Sequence, residues 1–90
     1  MLMFKKRRGI KLPYEKQGLI CFVCINYKDM PEDVQQKIKK LCDDVGGEKH
    51  SKVLFKVMTD KNKSIRNLSK EYYISETQLY HYRKVFYESW

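Results

Sequence analysis

A chain of 90 residues provides for one domain and not two, and at this size only about 60 per cent of the unfolded surface is buried, so the core is thin and dimerisation would help stabilise it. The formal charge of +8 and a pI near 9.4 favour an anionic partner, nucleic acid ahead of a membrane surface. The longest apolar-rich run, residues 18–23 or at most 27, falls short of the roughly 20 residues a bilayer span requires, and the early basic residues lead into Pro13, Tyr14, Glu15, Lys16 and Gln17 rather than an apolar signal core, so no membrane partner and a cytoplasmic location are expected.

Residues 1–17 read as a basic arm. The first 30 residues carry seven Lys/Arg against two acids, and Lys5, Lys6, Arg7, Arg8 and Lys11 would neutralise phosphates or enter a minor groove, or simply form a solubilising tail. Residues 18–27, GLICFVCINY, are rich in β-branched and aromatic side chains and only ten long, which predicts a strand. A lone strand is unstable, so this one would pair with residues 8–14 or with its own copy in a homodimer.

Pro31 then opens a helix predicted over 31–45, with Glu32 and Asp33 at the positive end of its dipole. Val34, Ile38, Leu41 and Val45 form its apolar stripe, and Gly46 and Gly47 end it. A helix over 48–58 buries Leu54 and Val57 with Val53 or Met58, and Asp60, Lys61, Asn62 and Lys63 break the chain. Two more helices follow, over 64–73 and 75–88. Ile65, Leu68 and Tyr72 share one face of the first, and Leu79, Tyr82 and Phe86 one face of the second. Ser64 caps the first helix. Ser75 caps the second in a box whose return bond runs from Gln78 to the Ser75 amide. Ser69 supplies the small side chain where the two helices cross, and Tyr87 and Trp90 pack against the first strand or a partner subunit.

Cys21, Cys24 and Cys42, with His50 and His81 as possible companions, have the makings of a zinc site. A strand would point residues 21 and 24 to opposite faces, so buried free thiols and no metal or cofactor are expected. There is no Gly-rich phosphate loop and no Ser with a suitable His and carboxylate, so an enzyme is not expected.

Leu68, Ser69, Tyr72, Ile74, Leu79 and Tyr82 match the hydrophobic spacing of helix-turn-helix proteins. Over about 25 residues the chain resembles sigma-factor region 4 and small phage or mobile-element regulators. Many members have glycine where this chain has Tyr73, since the backbone there takes a positive φ. The resemblance implies a mainly α fold with a C-terminal helix-turn-helix beside the short N-terminal strand, and it makes 75–88 the recognition helix.

On that helix Gln78 suits adenine, Thr77 a thymine methyl, His81 a guanine edge and Glu76 cytosine. Tyr80 is either a base or sugar contact or an exposed aromatic. Lys61, Lys63, Arg66, Lys70, Arg83 and Lys84 suit phosphates, as do Lys5, Lys6, Arg7 and Arg8 of the arm. The expected function is sequence-dependent binding of double-stranded DNA, as a transcriptional regulator of a prophage or conjugative element. The alternative is a protein-interaction module that docks on RNA polymerase or a phage protein.

Overall fold

The computed structural model describes Arg7 and residues 9–90, and the arm residues Lys5, Lys6 and Arg8 lie outside them. Four helices make up the fold: α1 (Tyr14–Ile25), α2 (Glu32–Thr59), α3 (Ile65–Tyr72) and α4 (Glu76–Ser89). A single 3-10 turn, Tyr27–Asp29, links the first two. None of the described helices is long and apolar enough to cross a membrane.

The strand predicted over 18–27 is instead the body of α1, and no strand occurs among the described residues. Gln17, Ile20, Cys21 and Cys24 are its buried positions, a spacing of three, four and seven that only a helix places on one face. Burial of that face against α2 outweighs the β preference of Ile20, Val23 and Ile25, which is weak and context-dependent. Pro13 supplies extended backbone ahead of the first turn, and Asn26 closes the helix by donating from Nδ2 to the Phe22 carbonyl at 2.8 Å. With the strand gone, strand pairing across a two-fold axis has no basis.

The arm expected over 1–17 overlaps this helix, and its described part lies on the body. Ile10 is buried, and the fully buried Gln17 donates to the carbonyls of Leu12 (3.0 Å) and Ile10 (3.4 Å) while accepting from the Arg7 amide (2.9 Å). One glutamine side chain thereby satisfies three backbone groups of a segment that has no secondary structure of its own.

Helix α2 is interrupted at Gly47, where φ 68° and ψ −177° depart from helical geometry. Ahead of the break, Ile38 and Cys42 enter the main core with Ile20, Cys24, Leu54, Met58, Phe86 and Tyr87. Beyond it, Val53 lies in a second, smaller cluster with Ile65, Leu68 and Leu79, under α3 and α4. Leu54 and Met58 also lie beyond the break, so the second half of α2 contributes to both clusters. Tyr87, expected against a strand or a partner, is sealed in the main core at 1 % exposure, and Trp90 lies beneath the Lys37 ammonium at 4.1 Å from the ring centre.

Both serine caps form: Ser64 Oγ accepts from the Asn67 amide and Ser75 Oγ from the Gln78 amide, each at 3.1 Å. The return bond expected from the Ser75 amide to the Gln78 side-chain oxygen is absent, and the Gln78 side chain turns to Tyr82, donating from Nε2 to its hydroxyl at 2.9 Å. Between α3 and α4, Ser69 accepts the Ile74 amide on its carbonyl and donates its hydroxyl to the Ile74 carbonyl, closing the turn in both directions. Tyr73 sits there in left-handed conformation, φ 57° and ψ 43°, with its side chain 95 % exposed.

A left-handed residue with a Cβ costs about 1–2 kcal/mol, and the side chain of Tyr73 recovers nothing by burial. Tyr73→Gly is expected to raise the unfolding free energy by about 0.5–1 kcal/mol, the relief being partly offset by the extra freedom glycine gives the unfolded chain. The shift of the urea midpoint measures it.

Candidate nucleic-acid interface

Leu79, Phe86 and Tyr87 are the buried anchors of α4, and they fix which side of the helix faces outward. Opposite them, at spacings of four and seven, stand Thr77, His81 and Lys84. Thr77 and His81 are exposed and Lys84 is half-buried. Glu76 and Gln78 are exposed in the first turn, where Glu76 also suits the positive end of the helix dipole. Of the residues expected to read bases, Gln78 is the one whose side chain is hydrogen-bonded to another side chain among the described residues. Its amide holds the Tyr82 hydroxyl, which also lies 2.6 Å from His50 Nδ1. This chain of hydrogen bonds runs from the second half of α2 to the N-terminal turn of α4, and it makes Gln78 a structural residue first.

Tyr80 is half-exposed, with the Arg83 guanidinium over its ring at 4.9 Å from the centre. The flank of α4 that carries these two faces the loop ahead of α3. There Lys61, Lys63 and Ser64 join Arg7, Tyr80 and Arg83 around a cavity of about 360 Å³. Lys63 reaches Glu71 at 3.4 Å, an exposed pair of the kind that water and salt readily exchange. Arg66 and Lys70 are exposed along α3.

Arg83 differs from the other cations of the surface. Burial, and then the proximity of Arg7, push its guanidinium below its ordinary value, and its Nε lies out of contact with solvent with no acceptor among the described residues. Arg7 reaches this place because Gln17 pins its amide, and its Nε donates to the Tyr87 hydroxyl at 3.5 Å. Gln17 and Tyr87, which brace Arg7, were not among the site residues expected from the sequence. A polar residue at the head of the apolar spacing Gln17, Ile20, Cys21, Cys24 was the available sign.

The three cysteines are free and buried. Cys21 and Cys24 share the inward face of α1 rather than pointing apart. Burial pushes the thiol of Cys42 up to about 12 and that of Cys24 higher still, so both are protonated and unreactive at neutral pH. His50 is taken up by Tyr82. Among the described residues, no group of three or more His, Cys, Asp or Glu side chains is placed to hold a metal ion.

No protein-family model matches this chain, and comparison with curated proteins and with solved structures yields no match.

Proposed function

We propose that this protein binds double-stranded DNA through the α3–turn–α4 unit, used as a helix-turn-helix, with α4 in the major groove and the basic side chains beside it on the phosphates. Thr77 and His81, with Glu76 and in part Tyr80, read base edges. Lys61, Lys63, Arg66, Lys70, Arg83 and Lys84 contact the backbone, together with Arg7 and, in the undescribed stretch, Lys5, Lys6 and Arg8. Regulation of transcription on a prophage or conjugative element is the role that the helix-turn-helix resemblance suggests for such binding.

The observation that carries this reading is where the charges fall. Lys61 and Lys63 converge with Arg83 on the Tyr80 flank of α4, beside the outer face on which Thr77 and His81 are exposed. Docking on a protein through this surface would call for an apolar face of Tyr80, Tyr87 and Trp90, yet Tyr87 is sealed in the core and Trp90 is half-buried against Phe86 and Lys37.

A second reading draws on a different place. Leu19 and Phe22, one turn apart on α1, are 58 % and 50 % exposed, and a protein contact, RNA polymerase or a second copy of the chain included, would use that face.

Fluorescence anisotropy of a labelled random duplex, titrated with the protein at low and at physiological salt, tests the DNA reading. Binding is expected with a Kd of about 1–100 µM at physiological salt, tightening steeply as salt falls. A flat trace at low salt rejects it.

A further inference from the structure

We propose that the cavity between the 61–64 loop and helix α4 is a built phosphate site, in which Arg7, Lys61, Lys63 and Arg83 surround one phosphate group. The inference deepens the DNA reading and rests on it for one point, the source of the phosphate: a backbone group of a duplex rather than a free phosphate or phosphate monoester.

Four cationic side chains line a cavity of about 360 Å³, and no carboxylate is among its described lining residues. On an ordinary solvated surface charges of both signs intersperse, and a cluster of one sign repels itself. Here the repulsion is built in. The Arg7 amide is fixed by a glutamine that is 0 % exposed, and the Arg83 guanidinium is fixed by the Tyr80 ring.

Two guanidinium groups held near one another repel, and that of Arg83 is largely out of water with an unsatisfied Nε. An oxyanion among them would attract each cation and so offset their mutual repulsion. Guanidinium groups suit this role because their planar donor sets match two oxygens at once, whereas Lys61 and Lys63 add mobile point charges at the rim. Ser64 contributes as well, since its Oγ accepts from Asn67 and its hydroxyl proton remains to be donated. Lys63 would exchange its exposed Glu71 partner for the anion.

Thermal unfolding of the full chain is followed at fixed pH while sodium phosphate replaces sodium chloride at constant ionic strength. A rise in Tm that follows the logarithm of phosphate concentration is expected, reaching roughly 5 °C or more once phosphate exceeds its Kd about tenfold. Phosphate also stabilises proteins without binding, by exclusion from their surface, and variants separate the two effects. Arg83→Gln should weaken the phosphate Kd at least about tenfold, and so should the doubly substituted Lys61→Gln, Lys63→Gln chain, whose changes touch only exposed side chains and leave the core intact. Lys40→Gln, a matched loss of charge at an exposed position outside the cavity, should keep the parental rise.

Equal rises in the parent and in the Lys61, Lys63 variant, or no difference between phosphate and chloride, overturn the site. A labelled duplex then identifies the source. Displacement of duplex by phosphate beyond the effect of matched chloride supports a backbone phosphate in the cavity. Saturable phosphate binding by a chain that ignores duplex upholds the site, assigns it to free phosphate groups and removes the DNA reading. Duplex binding that phosphate leaves untouched, with no saturable phosphate binding, upholds the DNA reading and removes the site.

Discussion

Alanine at Gly46 is expected to lower the unfolding free energy by about 1–3 kcal/mol, and alanine at Gly47 by a further amount of about the same size, for two unrelated reasons. A Cβ at Gly46 would stand 2.9 Å from the Ser51 amide nitrogen and 3.1 Å from its Cα. Both are backbone atoms, so relief requires the second half of α2 to move. At Gly47 a Cβ would meet nothing within 4 Å, and the whole penalty is conformational. A φ of 68° with a ψ of −177° lies in a region essentially reserved for glycine, well away from the left-handed helical well. Asparagine, which tolerates that well, is therefore expected to be no better than alanine at 47.

Domains of this kind have about 5–15 kcal/mol in all, so either change is a large fraction of the total. Equilibrium unfolding in urea measures both: the midpoint should fall and the slope stay constant. Because the residues are adjacent, the double variant is not expected to lose the sum. Unchanged midpoints would mean that the kink is an incidental bend. Loss of stability together with duplex affinity would mean that it orients α4, since the segment after it carries His50 to Tyr82 and Val53 beneath α3 and α4.

The hairpin of α3 and α4 was readable from the sequence because each of its signals is local. A hydroxyl stands before each apolar stripe, and the stripes repeat at helical spacing over eight and fourteen residues. Tyr73 takes the positive φ expected at that turn position, so a residue with a Cβ there affects the strain and not the turn. Misreading α1 had a physical cause. GLICFVCINY has the composition of a strand, and the competing helical spacing begins with Gln17, a polar residue whose burial depends on backbone carbonyls that belong to no regular element.

Gln78 shows the same limit on a smaller scale. Its place three residues after Ser75 suits a capping box, yet the Tyr82 hydroxyl one turn further on offered a partner already held by His50. The meeting of Arg7 with Tyr87, 80 residues away in the chain, leaves no periodic trace at all. Only the docking of the N-terminal segment on α1 and α4 creates it.

Substituting Thr77 and His81 together with alanine is expected to erase discrimination between duplexes while leaving the binding of random sequence almost unchanged. Each well-placed base contact accounts for about 1–3 kcal/mol of preference for the correct base, so the ratio of specific to random Kd should shrink about tenfold or more for each one lost. Neither side chain has a hydrogen bond within the described fold, and both are exposed, so stability should hold and the effect can be assigned to contact. Neutralising Lys61, Lys63, Arg66 and Lys70 is expected to do the reverse. Affinity should fall for every sequence alike, and the slope of log K against log salt should become shallower by up to about 0.9 for each phosphate contact removed.

Gln78→Ala separates structure from reading on the same helix. It removes the amide from Tyr82, so a modest loss of stability should accompany any loss of affinity, whereas a pure base contact would leave unfolding untouched. Anisotropy titrations over a panel of duplexes at several salt concentrations, set beside urea curves for each variant, resolve all three patterns. Thr77 and His81 variants that discriminate like the parent would place the reading surface elsewhere than on the outer face of α4.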